Sequence, residues 1–166
     1  MNHPEGETVS KRFTIKNHRT GSAAHVLDIF DAEGHIAYNA KIQLAGGVDH
    51  MMLQDPNGNE IARYRVRAFE ERGMLMVTMA DGVRFAASFS GVHHTPHLSV
   101  PDYGWNLDRS PVRGMYHITN FRGDKIATVV RGEESLGSYV ATISDCRHTD
   151  ELLVLVLVVR FLLEHR

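Results

Sequence analysis

Cysteine is almost absent from this chain, since Cys146 is the only one among 166 residues. An internal disulfide is therefore excluded, and the fold does not depend on an oxidising compartment. An excess of one charge is also lacking, because 18 Lys and Arg residues stand against 20 Asp and Glu residues, a net charge of -2. Without a strong positive field, nucleic acid is not expected as a partner.

A hydrophobic segment long enough to cross a membrane is lacking as well. The longest apolar stretch, residues 152–163, is interrupted by Arg160. As a helix it would span about 18 Å, well short of a bilayer core of about 30 Å. Residues 1–16 are polar and lack the apolar stretch of a secretory signal. These features predict a cytoplasmic protein without a transmembrane segment, either free in solution or peripheral at a membrane.

The chain does contain a period-two alternation of apolar and polar residues from Phe13 to Ile143. This spacing places one set of side chains on the core face of a sheet, so it predicts mostly β-strands. The clearest example is the set Ile36, Tyr38, Ala40, Ile42 and Leu44. With 43% apolar residues, a chain of this length is able to bury one core, so a single domain is expected.

A turn motif separates the strands and recurs in one form, in residues 31–34, 55–58 and 120–123. Each copy begins with Asp or Asn, whose side chain accepts hydrogen bonds from the following backbone, and ends with Gly, which closes a hairpin at positive φ. Another tight hairpin is predicted at Asp81-Gly82. Asp55, Asn57 and Asn59 alternate as calcium ligands do, but Gly58 is misplaced for a calcium loop, so a plain turn is predicted.

The C-terminal segment departs from the strand pattern. Residues 152–159 contain no polar side chain, and the acidic pair Asp150 and Glu151 suits the positive end of a helix over about 150–164. Periodicity alone leaves a buried strand open, because several of these residues are β-branched valines. A helix that is apolar on all sides must be enclosed by protein, and the sheet is the only enclosing material.

The order of these elements resembles the tubby C-terminal-like superfamily, and in particular its LURP-one-related proteins. The residues that carry the resemblance are the hairpins at 55–62 and 120–127 and the segment 150–163. The resemblance implies a mainly β (α+β) fold, a closed antiparallel barrel of about twelve strands around a buried hydrophobic C-terminal helix. Residues 13–166 would form this single domain, after a flexible N-terminus at 1–12. Relatives are implicated in phosphoinositide binding and lipid movement.

An arginine stripe is the main candidate binding feature. Arg63, Arg65 and Arg67 alternate with Tyr64 and Val66, so in a strand the three guanidinium groups leave from one face. One interpretation is an ordinary solvated barrel face. The other is a site for phosphate or an anionic lipid head group, because arginine binds phosphate through two parallel hydrogen bonds.

Two further groups are weaker candidates. His93, His94 and His97 are close enough in sequence to chelate a metal ion, but their spacing matches no standard zinc pattern, so no metal site is predicted. Cys146, His148 and Asp150 have the residue types of a thiol nucleophile and its partners, although such partners usually come from distant segments.

Taken together, these observations favour a non-enzymatic binding or scaffold module that needs no cofactor. Its expected ligand is an anionic phospholipid or phosphate. A protein-interaction scaffold with an unidentified protein partner is the first alternative, and a metal-dependent or hydrolytic enzyme is the second.

Overall fold

The computed structural model describes residues 10–18, 25–45, 48–67, 71–91, 95–109, 114–132 and 138–164. Twelve strands are followed in this part of the chain by one turn of 3₁₀ helix, Cys146–His148, and one α-helix. The strands are β1 Lys11–His18, β2 His25–Phe30, β3 Ile36–Ala45, β4 Val48–Gln54, β5 Glu60–Arg67, β6 Arg72–Met79, β7 Arg84–Ser90, β8 His97–Val100, β9 Trp105–Arg109, β10 Met115–Thr119, β11 Lys125–Arg131 and β12 Tyr139–Ile143; the helix, α1, is Thr149–Glu164.

The strands form a closed antiparallel barrel. Each strand pairs with its neighbours in chain order, and β1 pairs with β12 to complete the circle. The predicted mainly β barrel of about twelve strands with a C-terminal helix is therefore confirmed. β1 begins at Lys11, slightly before the domain start expected at Phe13, and residues 1–9 lie outside the described ranges.

The recurring turn motif forms three hairpins of the same geometry. In each, the first side chain accepts hydrogen bonds from the backbone N–H groups two and four residues later, at 2.9 to 3.0 Å. The accepting residues are Asp31, Asp55 and Asn120. The glycine of each turn has φ between 83° and 85°, a conformation that costs other residues about 1 kcal/mol or more.

Because the strands run alternately up and down, these hairpins lie at one end of the barrel, which we call the hairpin end. The β6–β7 turn lies there too, with Asp81 accepting a hydrogen bond from the Val83 N–H at 2.9 Å. β12 also runs toward this end, since Ile143 pairs with Ala127 at the start of β11. The helix that follows β12 therefore enters the barrel from the hairpin end.

The helix fills the interior of the barrel. Residues 152–159 are all between 0% and 2% exposed, and they pack with the inward side chains of the strands in one apolar core. The predicted buried helix over about 150–164 is confirmed. The barrel offers this segment no strand partner, whereas a helix satisfies its own backbone hydrogen bonds in an apolar interior.

Polar contacts tie both ends of α1 to the barrel wall. The Tyr38 hydroxyl donates to Asp150 Oδ1 at 2.7 Å near the hairpin end. Near the opposite end, Arg160 Nη2 donates to Asn17 Oδ1 at 2.9 Å. Within the described ranges, no helix has the length and apolar composition needed to cross a membrane.

Candidate ligand-binding cleft

The arginine stripe lies on β5, and the two of its side chains that the structure describes are on the outer face as predicted. Arg63 and Arg65 are exposed, whereas Tyr64 and Val66 are buried against the core. Arg67 is the last residue of β5, and its side chain lies outside the described part of the structure. The alternation expected from the sequence thus holds for the two arginines whose side chains are described.

Strand register places further cations beside this stripe. Lys41 pairs with Met52, and Met52 pairs with Arg63. On the other side Arg63 pairs with Thr78, and Thr78 pairs with Arg84. One row across five strands therefore carries Lys41, Arg63 and Arg84 on the outer face. Arg65 belongs to the next row, opposite His50 of β4.

The ladder between β5 and β6 is short, and we call this junction the β5–β6 seam. Its paired residues are Ala62 with Met79 and Arg63 with Thr78, next to a bond from the Ala80 N–H to the Ile61 carbonyl at 2.9 Å. Among the described residues, no pairing between the two strands follows beyond Arg63. Each strand is paired along its whole length on its other side. At the seam, β5 and β6 are thus paired near the hairpin end and, among the described residues, unpaired toward the opposite end of the barrel.

A cleft of about 1010 Å³ opens at this seam. The residues that line it are Lys41, Gln43, Val48, His50, Met51, Met52, Arg63, Tyr64, Arg65, Val66, Met74, Leu75, Met76, Thr78, Arg84 and Phe89. Four carry a permanent positive charge, and this lining contains no Asp or Glu. It also contains four of the seven methionines of the chain. The cleft therefore combines cations with flexible apolar side chains.

The cations of the cleft differ in how their charge is compensated. Arg63 forms an ion pair with Glu60, in which Nη2 lies 2.7 Å from Oε1 and 2.8 Å from Oε2. Within the described part of the chain, Lys41, Arg65 and Arg84 have no such carboxylate partner. These three charges are consequently available to an external anion.

Buried polar groups lie behind the cleft. Tyr64 is only 4% exposed, and its burial raises the pKa of the phenol. The nearby carboxylate of Asp49 raises this pKa further, while the Arg160 guanidinium opposes both effects. The Nε atom of Arg160 is buried without a hydrogen-bond partner among the described residues. Burial therefore keeps the Tyr64 phenol neutral.

Of the three grouped histidines, the structure describes only one. His97 is exposed on β8, while His93 and His94 lie outside the described residues. In the ranges that the structure describes, no three His, Cys, Asp or Glu residues are grouped to hold a metal ion.

Cys146, His148 and Asp150, the candidate thiol nucleophile and its partners, each make structural contacts. Cys146 Sγ donates to the Ile143 carbonyl at 3.8 Å, and His148 Nδ1 lies 3.2 Å from Asp145 Oδ2. Asp150 accepts the hydroxyl of Tyr38. The His148 ring also packs edge-on against the neighbouring aromatic rings of Tyr103 and Trp105. These contacts hold the start of α1 in place.

The sequence indicated part of the cleft and missed the rest. Period-two alternation identified the outward direction of Arg63 and Arg65. Lys41, Arg84 and the methionines were missed, because they join the site through cross-strand register and not through a local motif. An outward position in a neighbouring strand was the only available signal.

No family profile, curated protein or solved structure matches this chain.

Proposed function

We propose that this chain is a non-enzymatic binding module that holds an anionic group in the cleft at the β5–β6 seam. The group is a lipid head group or a free phosphate. The observation that carries the proposal is the composition of the cleft, in which Lys41, Arg63, Arg65 and Arg84 face no acidic lining residue. The net charge of the whole chain is -2, so this concentration of cations is local.

The arrangement of the cations suits a multivalent anion. Neighbouring strands lie about 4.8 Å apart, so cations on alternate strands stand about 10 Å apart in one row. Lys41, Arg63 and Arg84 have this relation, and Arg65 adds a charge in the next row. Arginine provides two parallel donors to a phosphate, and the adjacent methionines provide apolar contact area for the uncharged part of a ligand.

We extend the proposal to the protein family of the chain and to its location in the cell. A twelve-stranded barrel around a C-terminal helix is the architecture that membership of the tubby C-terminal-like superfamily implies, and it supports that proposal. A cytoplasmic module that meets a membrane through its cationic cleft fits the proposed ligand.

The experiment compares two triple variants that lose the same charge. One carries Lys41→Gln, Arg65→Gln and Arg84→Gln in the cleft. The control carries Arg12→Gln, Lys125→Gln and Arg131→Gln, which replace exposed cations of β1 and β11. Cosedimentation with phosphatidylcholine vesicles containing phosphoinositide, and calorimetric titration with inorganic phosphate, separate the two sources of the anion.

We expect the control to bind as the wild type does and the cleft variant to lose at least about tenfold in affinity, because two or more charge-assisted hydrogen bonds are lost. Added salt should weaken binding steeply, since exposed charges are screened within about 8 Å at physiological ionic strength. Equal binding by the two variants, or no binding of either probe by the wild type, would show that the cleft is only a solvated barrel face.

A further inference from the structure

In the described part of the chain, the β5–β6 seam leaves backbone groups of both strands without strand partners. Successive strand residues direct their N–H and C=O groups alternately to the two neighbouring strands. The Ala80 N–H bonds to β5, so the backbone groups of Met74 and Met76 also point toward β5. By the same alternation, those of Arg65 point toward β6. After Arg63 and Thr78, the next hydrogen-bonded pair of the ladder would be Arg65 and Met76, and this pair is not formed.

An unpaired strand edge is a template for another extended chain, because it offers a row of backbone donors and acceptors. Edges of natural sheets are usually blocked by proline, a bulge or a covering segment. Residues 72–78 of β6 contain no proline, and their pairing with β7 has no register shift. The edge of β6 that faces the seam is therefore regular enough to pair.

We infer that the β5–β6 seam binds an extended acidic peptide, which adds as a strand to the edge of β6 at Met74 and Met76. The inference rests on the cations of the proposed anion site and adds the open backbone beside them. The peptide is acidic because alternate side chains of an added strand emerge on the outer face, beside Lys41, Arg65 and Arg84.

The side chains around this edge suit a peptide. Met74 is 67% exposed and Met76 is 42% exposed, both unusually high for large apolar residues. Methionine is flexible and polarisable, so such a surface adapts to different apolar side chains. A lipid head group would use the cations but has no need of a regular row of backbone groups, and this row is the observation that favours a peptide.

The test uses the full chain and a fluorescein-labelled peptide of four Glu-Val repeats, with binding followed by fluorescence anisotropy. Met74→Pro removes the N–H that faces the seam and leaves the pairing of β6 with β7 intact. Met74→Val removes the same side chain but keeps the N–H, so it is the matched control. We expect Met74→Pro to bind at least about tenfold more weakly than Met74→Val, because both variants lose the methionine side chain and only the proline also loses the N–H.

A second measurement covers the case in which Met74→Pro does not fold. The same peptide with N-methylated amides should bind the wild type at least about tenfold more weakly, because it cannot donate to a ladder. A peptide of four Lys-Val repeats should not bind. In the wild type, amide hydrogen exchange at Met74 and Met76 should slow when the Glu-Val peptide is added.

The outcomes separate this inference from the anion site. Equal binding by Met74→Pro and Met74→Val, or equal binding of the methylated and unmethylated peptides, overturns strand addition. So does a wild type that binds vesicles or phosphate but not the peptide, and this last result leaves the proposed function standing. In a further outcome, the wild type binds the peptide, Met74→Pro shows the expected loss, and neither vesicles nor phosphate bind. This outcome supports the added strand and rejects a lipid or phosphate ligand.

Discussion

Arg63 and Arg65 show how two identical residues on one face of a strand acquire different roles. Glu60 lies near Arg63 and forms an ion pair with it, whereas Arg65 has His50 as its neighbour on β4. An exposed ion pair adds only a few tenths of a kcal/mol to about 1 kcal/mol of stability, but it occupies the donors of the guanidinium group. Arg65 is therefore the better placed of the two to bind an external anion.

The sequence could predict on which face of the sheet these side chains lie, but not which side chains of other strands are their neighbours. Direction follows from the two-residue repeat of a strand, which is a local property. Which side chains become neighbours depends on register, and the row of Lys41, Arg63 and Arg84 crosses four ladders, one of which shifts at Leu53/Gln54. Spacing in the chain does not reveal the register of a ladder, so Lys41 and Arg84 could not be placed beside Arg63 from the sequence.

His117 gives a prediction about pH. It is 7% exposed, its Nδ1 lies 3.0 Å from Thr128 Oγ1, and burial lowers its pKa below the ordinary value of 6.5. Lys125 lowers this pKa further, while Asp108 opposes the change. The folded chain thus binds fewer protons at this site than the unfolded chain does, so stability is full above about pH 6.5 and falls as the pH drops below it.

The measurement is urea unfolding of the wild type and of His117→Gln at pH 7.5 and 5.5. The wild type should lose more of its unfolding free energy between the two pH values than the variant loses, because the variant lacks the titrating group. The other histidines contribute equally to both proteins. An identical loss in the two proteins would show that His117 does not couple folding to protonation.

At the scale of elements, the hairpins were predictable from local turn chemistry, and the C-terminal helix was predicted from its end signals and the resemblance but not from periodicity. A side chain of Asp or Asn that accepts from the next few backbone N–H groups, followed by Gly, is sufficient to define the turn locally. Residues 152–159 read equally well as strand or helix, because every position is buried and no period remains. Asp150 and Glu151 favoured a helix, and the closed barrel that surrounds the segment confirms it.

The central helix gives a prediction about stability. Leu155 is fully buried in the barrel, so Leu155→Asp places an unpaired charge in the core and should cost several kcal/mol of unfolding free energy. Val83 is an apolar residue that is 47% exposed at the hairpin end, so Val83→Asp should change the unfolding free energy by about 0.5 kcal/mol or less. Thermal and urea unfolding compare the two variants. A Leu155→Asp protein as stable as Val83→Asp would contradict an enclosed helix.

At the scale of the whole molecule, the core is one continuous apolar cluster from barrel wall to helix. Such a core needs neither a disulfide nor a metal ion to hold it together. We therefore predict that a chelator such as EDTA changes the melting temperature by no more than a few degrees, because a structural ion would couple its binding to folding. The prediction covers His93, His94 and His97. Zinc retained in stoichiometric amount after dialysis against the chelator would contradict it.

The order of the elements along the chain has a consequence for synthesis on the ribosome. All twelve strands leave the exit tunnel before α1, yet the inner faces of those strands pack against α1. Until the helix arrives, the nascent sheet presents its apolar inner face to water and cannot enclose a filled core. The barrel is thus expected to close only after α1 has left the tunnel, and until then the strands are suitable substrates for a chaperone that binds exposed apolar surface.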